Sequence, residues 1–134
     1  MDNCIFCKIA KGEIPSYKVY EDKDFLAFLD ITPRNKGHTL VVPKKHFRWV
    51  WDVDDTLTKK QGIIVKKIAN ALKKTFNIDY VVSFIMGNEV PHSHVHLVPR
   101  FGNDGHGALI DLKNIKQISK EEMAQIANNI SRNI

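Results

Sequence analysis

The sequence is poor in cysteine and has no long apolar run. Its 134 residues include two cysteines, too few for the disulfide framework of a small secreted scaffold. No apolar stretch approaches the roughly 20 residues that span a bilayer. The first residues, 1–5, show no basic region followed by an apolar one, so no secretion signal is expected. These features together predict a cytoplasmic protein without a membrane segment.

The chain also lacks internal repeats, linkers and low-complexity stretches. Its length fits one domain, 1–134, and can bury a core without disulfides. The net charge of +5 is compatible with anionic partners but identifies none. Much of the excess lies in three lysine pairs, 59–60, 66–67 and 73–74, whose simplest explanation is a solvated helix face. Because RNA-binding aromatic and helix-turn-helix patterns are missing, nucleic acid is not an expected partner.

Strand and helix signals alternate along the chain. Apolar runs bounded by turn residues predict strands at 18–21, 25–29, 38–42, 80–86 and 90–98. An apolar residue at every fourth position predicts a helix that begins near Thr58, in capping-box spacing with Gln61, and ends near Asn77. A second helix is predicted after Ser119, whereas segment 5–10 is mixed. Since hairpin signals dominate, we predict an α+β fold with an antiparallel sheet and one long helix packed on it.

Three histidines alternate in the last predicted strand, at His92, His94 and His96. Successive side chains of a strand point to opposite faces, so the three imidazoles should share one face at a spacing of roughly 6–7 Å. Burying three titratable rings is costly unless hydrogen bonds or a metal satisfy them. Neutral imidazole is also a nucleophile that can attack phosphorus and form a covalent intermediate. The pattern favours a catalytic site, with polar core histidines or a generic metal site as the alternatives.

With its flanking residues, segment 92–98 resembles the signature of the histidine triad, or HIT, family, in which His-x-His-x-His precedes apolar residues. The resemblance continues, in matching order, at 4–9, 28–31, 37–46 and 99–100. It implies a single HIT domain with an α+β fold, a sheet of about five antiparallel strands, and usually a homodimer that shares a sheet. It also implies that a purine nucleotide or nucleotide conjugate is the partner, and that nucleoside monophosphates are released or transferred from phosphoramidates, dinucleoside polyphosphates or similar compounds.

The resemblance also implies roles for single residues. His94 corresponds to the nucleophile, His96 to the residue that contacts the phosphate and leaving group, and His38 to a supporting histidine on the neighbouring strand. Asp30 corresponds to an acidic residue that binds ribose hydroxyls, which suits a carboxylate that can accept two hydrogen bonds. The apolar walls of the base pocket correspond to Ile5, Phe6, Ile9, Phe28, Ile31 and Leu40. Ordinary core packing is an alternative explanation for most of these apolar residues.

The two cysteines have Cys-x-x-Cys spacing, which suits a metal or a redox pair. Zinc would need two further ligands, and a redox pair or two ordinary thiols are the alternatives. Zinc-bearing family members resemble this chain at Cys4, Cys7, His46 and His92. The resemblance therefore implies a fully ligated, structural zinc ion. A ligating His92 could not act as a free base, which supports His94 as the nucleophile.

The segment before the triad departs from the family pattern. Many relatives have a longer Gly/Asn-rich loop that ends in Gly-Gln, whereas residues 86–92 are fewer and place Asn88 where Gln is expected. An amide there can donate a hydrogen bond to a phosphate oxygen, but Asn is one methylene shorter. A nucleotide-binding adaptor with little turnover is therefore an alternative to an enzyme, and a zinc-stabilised basic module that binds nucleic acid is a third reading. His106 lies in a glycine-rich loop, 102–107, that is expected to be flexible, and it has no assigned role.

Overall fold

The structure, a computed structural model, describes residues 3–134. Met1 and Asp2, which begin both the predicted domain and the segment without a secretion signal, lie outside the described residues. Residues 3–134 form a five-stranded sheet with three α-helices, which confirms the predicted α+β fold. Over the same residues, no helix combines the length and the apolar character that crossing a bilayer requires.

The sheet is antiparallel throughout. Its strands are β1 Lys18–Glu21, β2 Phe25–Leu29, β3 Thr39–Pro43, β4 Val81–Phe84 and β5 Val95–Pro99. They lie in the order β1-β2-β3-β5-β4, so β3 and β5 are neighbours at the centre of the sheet. The predicted hairpin of β1 and β2 is present, and its turn is held by Asp22, whose carboxylate accepts the N–H groups of Asp24 and Phe25 at 2.8 Å.

The strand that carries the histidines is shorter than its predicted span of 90–98. The N–H of His92 closes a turn onto the carbonyl of Val90 at 2.8 Å, and the N–H of Ser93 donates to Phe47 at 2.7 Å. These bonds direct the backbone before Val95 away from the sheet. The prediction that one strand holds all three histidines is therefore wrong, because His96 lies in β5 while His92 and His94 precede it.

The three helices are α1 Ile5–Ala10, α2 Asp55–Phe76 and α3 Lys120–Arg132. The predicted start of α2 near Thr58 is wrong, because the carboxylate of Asp54 caps the helix by accepting the N–H of Leu57 at 2.9 Å. The predicted end is confirmed at Asn77, which adopts a left-handed φ of 52°. The predicted cap of α3 is confirmed at Ser119. The sequence analysis did not predict helix α1. Its N-cap is Cys4, whose thiol sulfur accepts the N–H of Cys7.

Alternate residues of the central strands face two separate cores. The core between the sheet and helices α2 and α3 includes Phe25, Ala27, Leu29, Val41 and Leu97. The core between the sheet and α1 includes Phe6, Ile9, Leu26, Phe28, Leu40 and Val42. Because His96 pairs with Leu40 across β3 and β5, its imidazole projects from the face that α1 covers.

Segment 101–118 has neither helix nor strand, yet hydrogen bonds tie it to the domain. Asp104 is buried and accepts the Arg100 guanidinium at 2.9 Å and the Asn35 amide at 3.0 Å. The Arg100 guanidinium holds the pKa of Asp104 well below its usual range. The backbone N–H of Lys116 donates to the carbonyl of Pro33 at 2.7 Å. The glycine content, from which flexibility was expected, gives no sign of these contacts.

The buried pair of Arg100 and Asp104 generates a stability prediction. We expect Asp104→Ala to lower the free energy of unfolding by about 3–5 kcal/mol, because it leaves the Arg100 charge buried without its partner. Urea unfolding followed by circular dichroism measures the change. The control is Glu21→Ala, which removes the exposed carboxylate that pairs with Lys18 and Lys44 and should cost about 1 kcal/mol or less. Equal losses in the two variants would contradict this account of segment 101–118.

Candidate functional site

A cavity of about 340 Å³ opens on the face of the sheet that α1 covers, a size that suits a small-molecule ligand. The three histidines predicted to act in catalysis, His38, His94 and His96, line it. So do all the residues predicted to contact the substrate: Ile5, Phe6, Ile9, Phe28, Asp30, Ile31, Leu40 and Asn88. The fold thus brings together groups that are widely separated in the sequence.

The ring of His94 is oriented by a backbone carbonyl. Its Nδ1 lies 2.6 Å from the carbonyl oxygen of His92. A carbonyl oxygen can only accept, so Nδ1 carries the proton and Nε2 keeps a lone pair. Burial lowers the pKa of His94, against the opposing effect of the bond to His92. The ring is therefore neutral at pH 7 and has the unprotonated nitrogen that a nucleophile requires.

The ring of His96 is oriented through His38. The N–H of Arg34 donates to His38 Nδ1 at 3.1 Å, so the proton of His38 is on Nε2. That Nε2–H group lies 3.0 Å from His96 Nδ1, which must accept it. The proton of His96 is consequently on its own Nε2. His94 and His96, with ring centroids 4.9 Å apart, thus offer a lone pair and an N–H donor to one cavity.

Burial keeps the rings of His38 and His96 neutral. It lowers the pKa of His38 to about 4 and that of His96 to about 3. The Asp30 carboxylate, whose Oδ2 is 3.6 Å from His38 Nε2, acts in the opposite direction on His38. At neutral pH each ring therefore carries one proton, and the direction of the hydrogen bond between them is well defined.

Asp30 has one oxygen in use and one available. Oδ1 accepts the N–H and the hydroxyl of Thr32, at 2.8 and 2.9 Å. Oδ2 lies 3.8 Å from Nη1 of Arg34 and 3.6 Å from Nε2 of His38, both longer than a hydrogen bond. The carboxylate is thus oriented by its own turn, and Oδ2 retains lone pairs for hydroxyl donors of a ligand.

The short segment before the triad is held by one basic and one aromatic side chain, Arg48 and Trp49, which the sequence analysis missed. The Arg48 guanidinium stacks 3.7 Å from the centre of the Trp49 ring and donates to the carbonyl of Gly87 at 2.7 Å. Gly87 has a φ of +80°, and a Cβ atom there would meet the Trp49 ring at 3.1 Å. These contacts fix the backbone beside Asn88. Arg48 and Trp49 lie two and three residues after His46 in the sequence, and this proximity is the one signal that links them to the site.

A second group of side chains lies beside the cavity, and it comprises Cys4, Cys7, His46 and His92. Their four donor atoms lie within 4.8 Å of one another. Nδ1 of His92 is 3.2 Å from Sγ of Cys4, and Nδ1 of His46 is 3.3 Å from Sγ of Cys7. Nitrogen and sulfur donors bound to one tetrahedral zinc ion, at about 2.0 and 2.3 Å, are about 3.3–3.8 Å apart. The spacing of the donor atoms therefore fits a metal ion with tetrahedral coordination.

The ring tautomer of His92 also fits a metal ligand. Its Nε2 lies 2.8 Å from the carbonyl oxygen of Pro43, so Nε2 carries the proton and Nδ1 presents a lone pair to the thiols. A ligating histidine typically donates its other N–H in this way. Burial, followed by the neighbouring Cys4 thiol, raises the pKa of Cys7 to about 11. A metal ligand and a redox dithiol both require the thiolate, so the case for a metal site rests on the spacing of the four donors and on the tautomer of His92.

Asp30, His38 and His96 also bring donor atoms within 4.8 Å of one another. The hydrogen bonds argue against a cation there. Nδ1 of His38 already accepts the N–H of Arg34, so a cation on Nε2 would leave that ring without any proton. The contact between His38 and His96 is therefore a hydrogen bond, and the cysteine-containing group is the better metal centre.

Comparisons with known proteins all point to one family. A family model described as the HIT domain matches residues 11–103. An uncharacterized HIT-like protein of Borreliella burgdorferi is 43% identical over 141 aligned positions, which cover 100% of both chains. The adenosine 5'-monophosphoramidase HNT1 of Saccharomyces cerevisiae is 38% identical over 132 positions, covering 92% of this chain and 82% of that protein. A zinc-bound histidine triad family protein from Mycobacterium smegmatis has a crystal structure with a TM-score of 0.81 and 28% identity, covering 98% of this chain and 93% of that one.

The buried neutral rings predict a pH dependence of stability. The unfolded chain protonates histidine near its ordinary pKa of 6.5, whereas burial lowers the pKa of folded His38 to about 4. The stability that neutral His38 contributes is thus fully present above pH 6.5, and it is lost progressively as the pH falls from 6.5 to the folded pKa of about 4. Between about pH 7 and pH 5, we expect the wild type to lose about 2 kcal/mol more than His38→Asn.

Urea unfolding of the two proteins at both pH values measures this difference. Protonation of Cys4, Cys7, His46 and His92 affects both proteins equally, so the comparison reports on the ring of His38 together with its partner His96, whose pKa the His38 ring also lowers. A loss of the same size in the wild type and in His38→Asn would show that this ring is not held neutral by burial.

Proposed function

The chain belongs to the HIT domain family, and from that premise we propose that it is a nucleotide hydrolase or transferase that acts through a covalent intermediate on His94. Its substrates are nucleoside phosphoramidates or dinucleoside polyphosphates with a purine base, and residues 1–134 form its single domain. The observation that carries the proposal is the pair of complementary tautomers, a lone pair on His94 and an N–H donor on His96, at one cavity. The yeast relative, an adenosine 5'-monophosphoramidase, supports the substrate class.

The chemistry begins with attack of His94 Nε2 on phosphorus. A nitrogen–phosphorus bond forms to His94, and the bond from phosphorus to the leaving group breaks. The phosphorylated ring has cationic character, which the His92 carbonyl stabilises because it already accepts the Nδ1–H. Water then attacks the same phosphorus and loses one proton to solvent, while the bond from phosphorus to His94 Nε2 breaks, which releases the nucleoside monophosphate and restores neutral His94.

His96 acts as a hydrogen-bond donor in this scheme. A neutral imidazole that lost its only ring proton would become an imidazolate, so His96 does not give that proton away. Its Nε2–H instead stabilises the charge that develops on the phosphate and leaving group, and a departing amine takes its proton from solvent. His38 supports this role, because its own N–H keeps His96 Nδ1 in the accepting state.

The remaining cavity residues suit the other parts of a nucleotide. Phe6, Ile9, Phe28 and Leu40 are buried and belong to the α1 core as well as to the cavity wall, so core packing and base binding both explain them. Ile31 is 76% exposed and Ile5 is 43% exposed, which leaves apolar surface at the cavity for a base to cover. Oδ2 of Asp30 accepts the ribose hydroxyls, and the Asn88 amide donates to a phosphate oxygen.

We further propose that Cys4, Cys7, His46 and His92 hold a structural zinc ion. The tetrahedral spacing and the tautomer of His92 support it, as does the zinc-bound relative from Mycobacterium smegmatis. When bound, the ion contributes folding free energy and binds no reactant. Its ligand His92 donates no proton in the reaction, but the carbonyl of the same residue orients His94. The metal centre and the nucleophile are thus coupled through one residue.

We also propose a cytoplasmic location, on the basis of the sequence composition, and a homodimer, on the basis of the family resemblance. A dimer that continues the sheet would join two copies at one of its edge strands, β1 or β4. The positively charged lysine face of α2 does not enter the proposed reaction.

Turnover of an adenosine phosphoramidate tests the proposed reaction. We expect the wild type to release adenosine monophosphate, and His94→Ala to lower kcat by at least about 10³-fold, because no other neutral nitrogen replaces the nucleophile. The control is Ser93→Ala, since the buried Ser93 hydroxyl has no hydrogen-bond partner within residues 3–134. Unchanged turnover in His94→Ala would eliminate the mechanism, and nucleotide binding without turnover in the wild type would favour an adaptor.

Elemental analysis of protein purified without a metal column tests the zinc centre. We expect about one equivalent of zinc per chain, and we expect Cys4→Ser to lose the metal and to lower Tm, because ligand binding contributes to folding. The matched control is Lys8→Ser, which changes a residue of the same helix that is not a donor. Less than about a tenth of an equivalent, in stable protein that tolerates a chelator, would contradict the proposal.

A further inference from the structure

We infer that His106 is a positioning residue, which selects the ring tautomers of His38 and His96 by holding the peptide backbone at Arg34. His106 does not line the cavity. Its effect on turnover rests on the proposed function, whereas its effect on the ring tautomers does not.

The ring of His106 is bonded through both nitrogens to backbone groups. The N–H of Asp111 donates to Nδ1 at 2.9 Å, so the ring proton is on Nε2. That Nε2–H donates to the carbonyl of Arg34 at 2.8 Å. The backbone N–H of His106 donates to the buried Asp104 at 3.1 Å, which fixes the residue within segment 101–118. The donor aimed at Arg34 is therefore fixed in both its tautomer and its position.

The same segment holds the backbone on both sides of the Arg34 N–H. Lys116 donates its Nζ to the carbonyl of Arg34 at 3.1 Å, and its backbone N–H to the carbonyl of Pro33 at 2.7 Å. The carbonyl before the Arg34 N–H and the carbonyl after it are thus both in use. This leaves the N–H of Arg34 directed at His38 Nδ1, 3.1 Å away.

That single N–H decides the direction of the hydrogen bond between His38 and His96. Two neutral imidazoles can share one hydrogen bond in either direction, because each has one donor and one acceptor nitrogen. If His38 Nδ1 lost its donor, it could carry the ring proton, and His96 would then donate from Nδ1. In that arrangement Nε2 of His96 would have no hydrogen to offer the cavity. The carboxylate of Asp30 favours the observed direction, but at 3.6 Å from His38 Nε2 it is not a hydrogen-bond acceptor.

Two substitutions of His106 separate donation from packing. His106→Phe keeps an aromatic ring but cannot donate to Arg34, whereas His106→Gln keeps an amide N–H that reaches the same carbonyl. Asp111→Ala is the matched control, because it removes a side-chain bond to the N–H of Lys113 in the same segment without touching Arg34.

Two measurements are made on the wild type and each variant. The first is the ¹⁵N chemical shifts of the histidine ring nitrogens at neutral pH, and the second is kcat and KM for an adenosine phosphoramidate. In His106→Phe we expect the ring nitrogens of His96 to show a mixture of tautomers. We expect kcat to fall about tenfold with KM within about twofold, a modest share of what a positioned donor contributes. We expect His106→Gln and Asp111→Ala to resemble the wild type in the ring-nitrogen shifts and in kcat and KM. A purely structural role of His106 would instead lower Tm in all three variants.

Wild-type ring shifts in folded His106→Phe would overturn the inference. If His106→Phe does not fold, Lys116→Met, which removes the other side-chain donor to the same carbonyl, is expected to shift the His96 nitrogens in the same direction, and its failure to do so would also overturn it. A wild-type protein without turnover would refute the proposed function, while the ring shifts would still decide the role of His106.

Discussion

The site depends on one constraint, which is that backbone groups determine the nitrogen that carries the proton in each of four histidines. The carbonyls of Pro43 and His92 accept hydrogen bonds from the ring N–H groups of His92 and His94, and the N–H of Arg34 donates to Nδ1 of His38. His106 is bonded to backbone groups at both nitrogens. A side chain can rotate to a new partner, but a backbone group within a packed domain cannot. The protonation pattern is therefore a property of the fold, and burial keeps the rings of the cavity neutral.

This constraint joins the stability of the domain to its proposed chemistry at His92. The ring of His92 belongs to the cysteine-containing group, while its carbonyl orients the ring of His94. The group also ties helix α1 to the end of β3, and α1 provides the cavity with Phe6 and Ile9. Loosening the proposed metal centre would consequently disturb both the apolar wall and the proposed nucleophile. In this sense the proposed structural metal would influence reactivity without contacting a reactant.

The features that the sequence predicts are those with short-range causes. Alternation and turn residues define the hairpin of β1 and β2, and a left-handed position ends α2 at Asn77. The prediction that one strand holds the whole triad is wrong, because alternation along a strand does not reveal the bonds that the N–H groups of His92 and Ser93 donate to carbonyls outside that strand. The contact of His106 with Arg34 joins residues 72 apart, and no pattern of residue types reports it. Family resemblance supplied the cavity residues, but tautomers follow from carbonyl positions that no alignment contains.

The regular sheet positions only one of the three cavity histidines, His96 in β5, and irregular segments position the other two. The turn at His92 orients His94, and the backbone at Arg34 orients His38. Segment 86–90 is held by a separate contact, the hydrogen bond from Arg48, which stacks on Trp49, to the carbonyl of Gly87. Since irregular segments accept insertions and substitutions more readily than a core strand, the short segment before the triad need not weaken the site. Its length sets where the Asn88 amide lies, whereas the lone pair of His94 and the N–H of His96 are fixed by other segments, so in the proposed reaction this segment would affect contacts with the substrate and not the nucleophile.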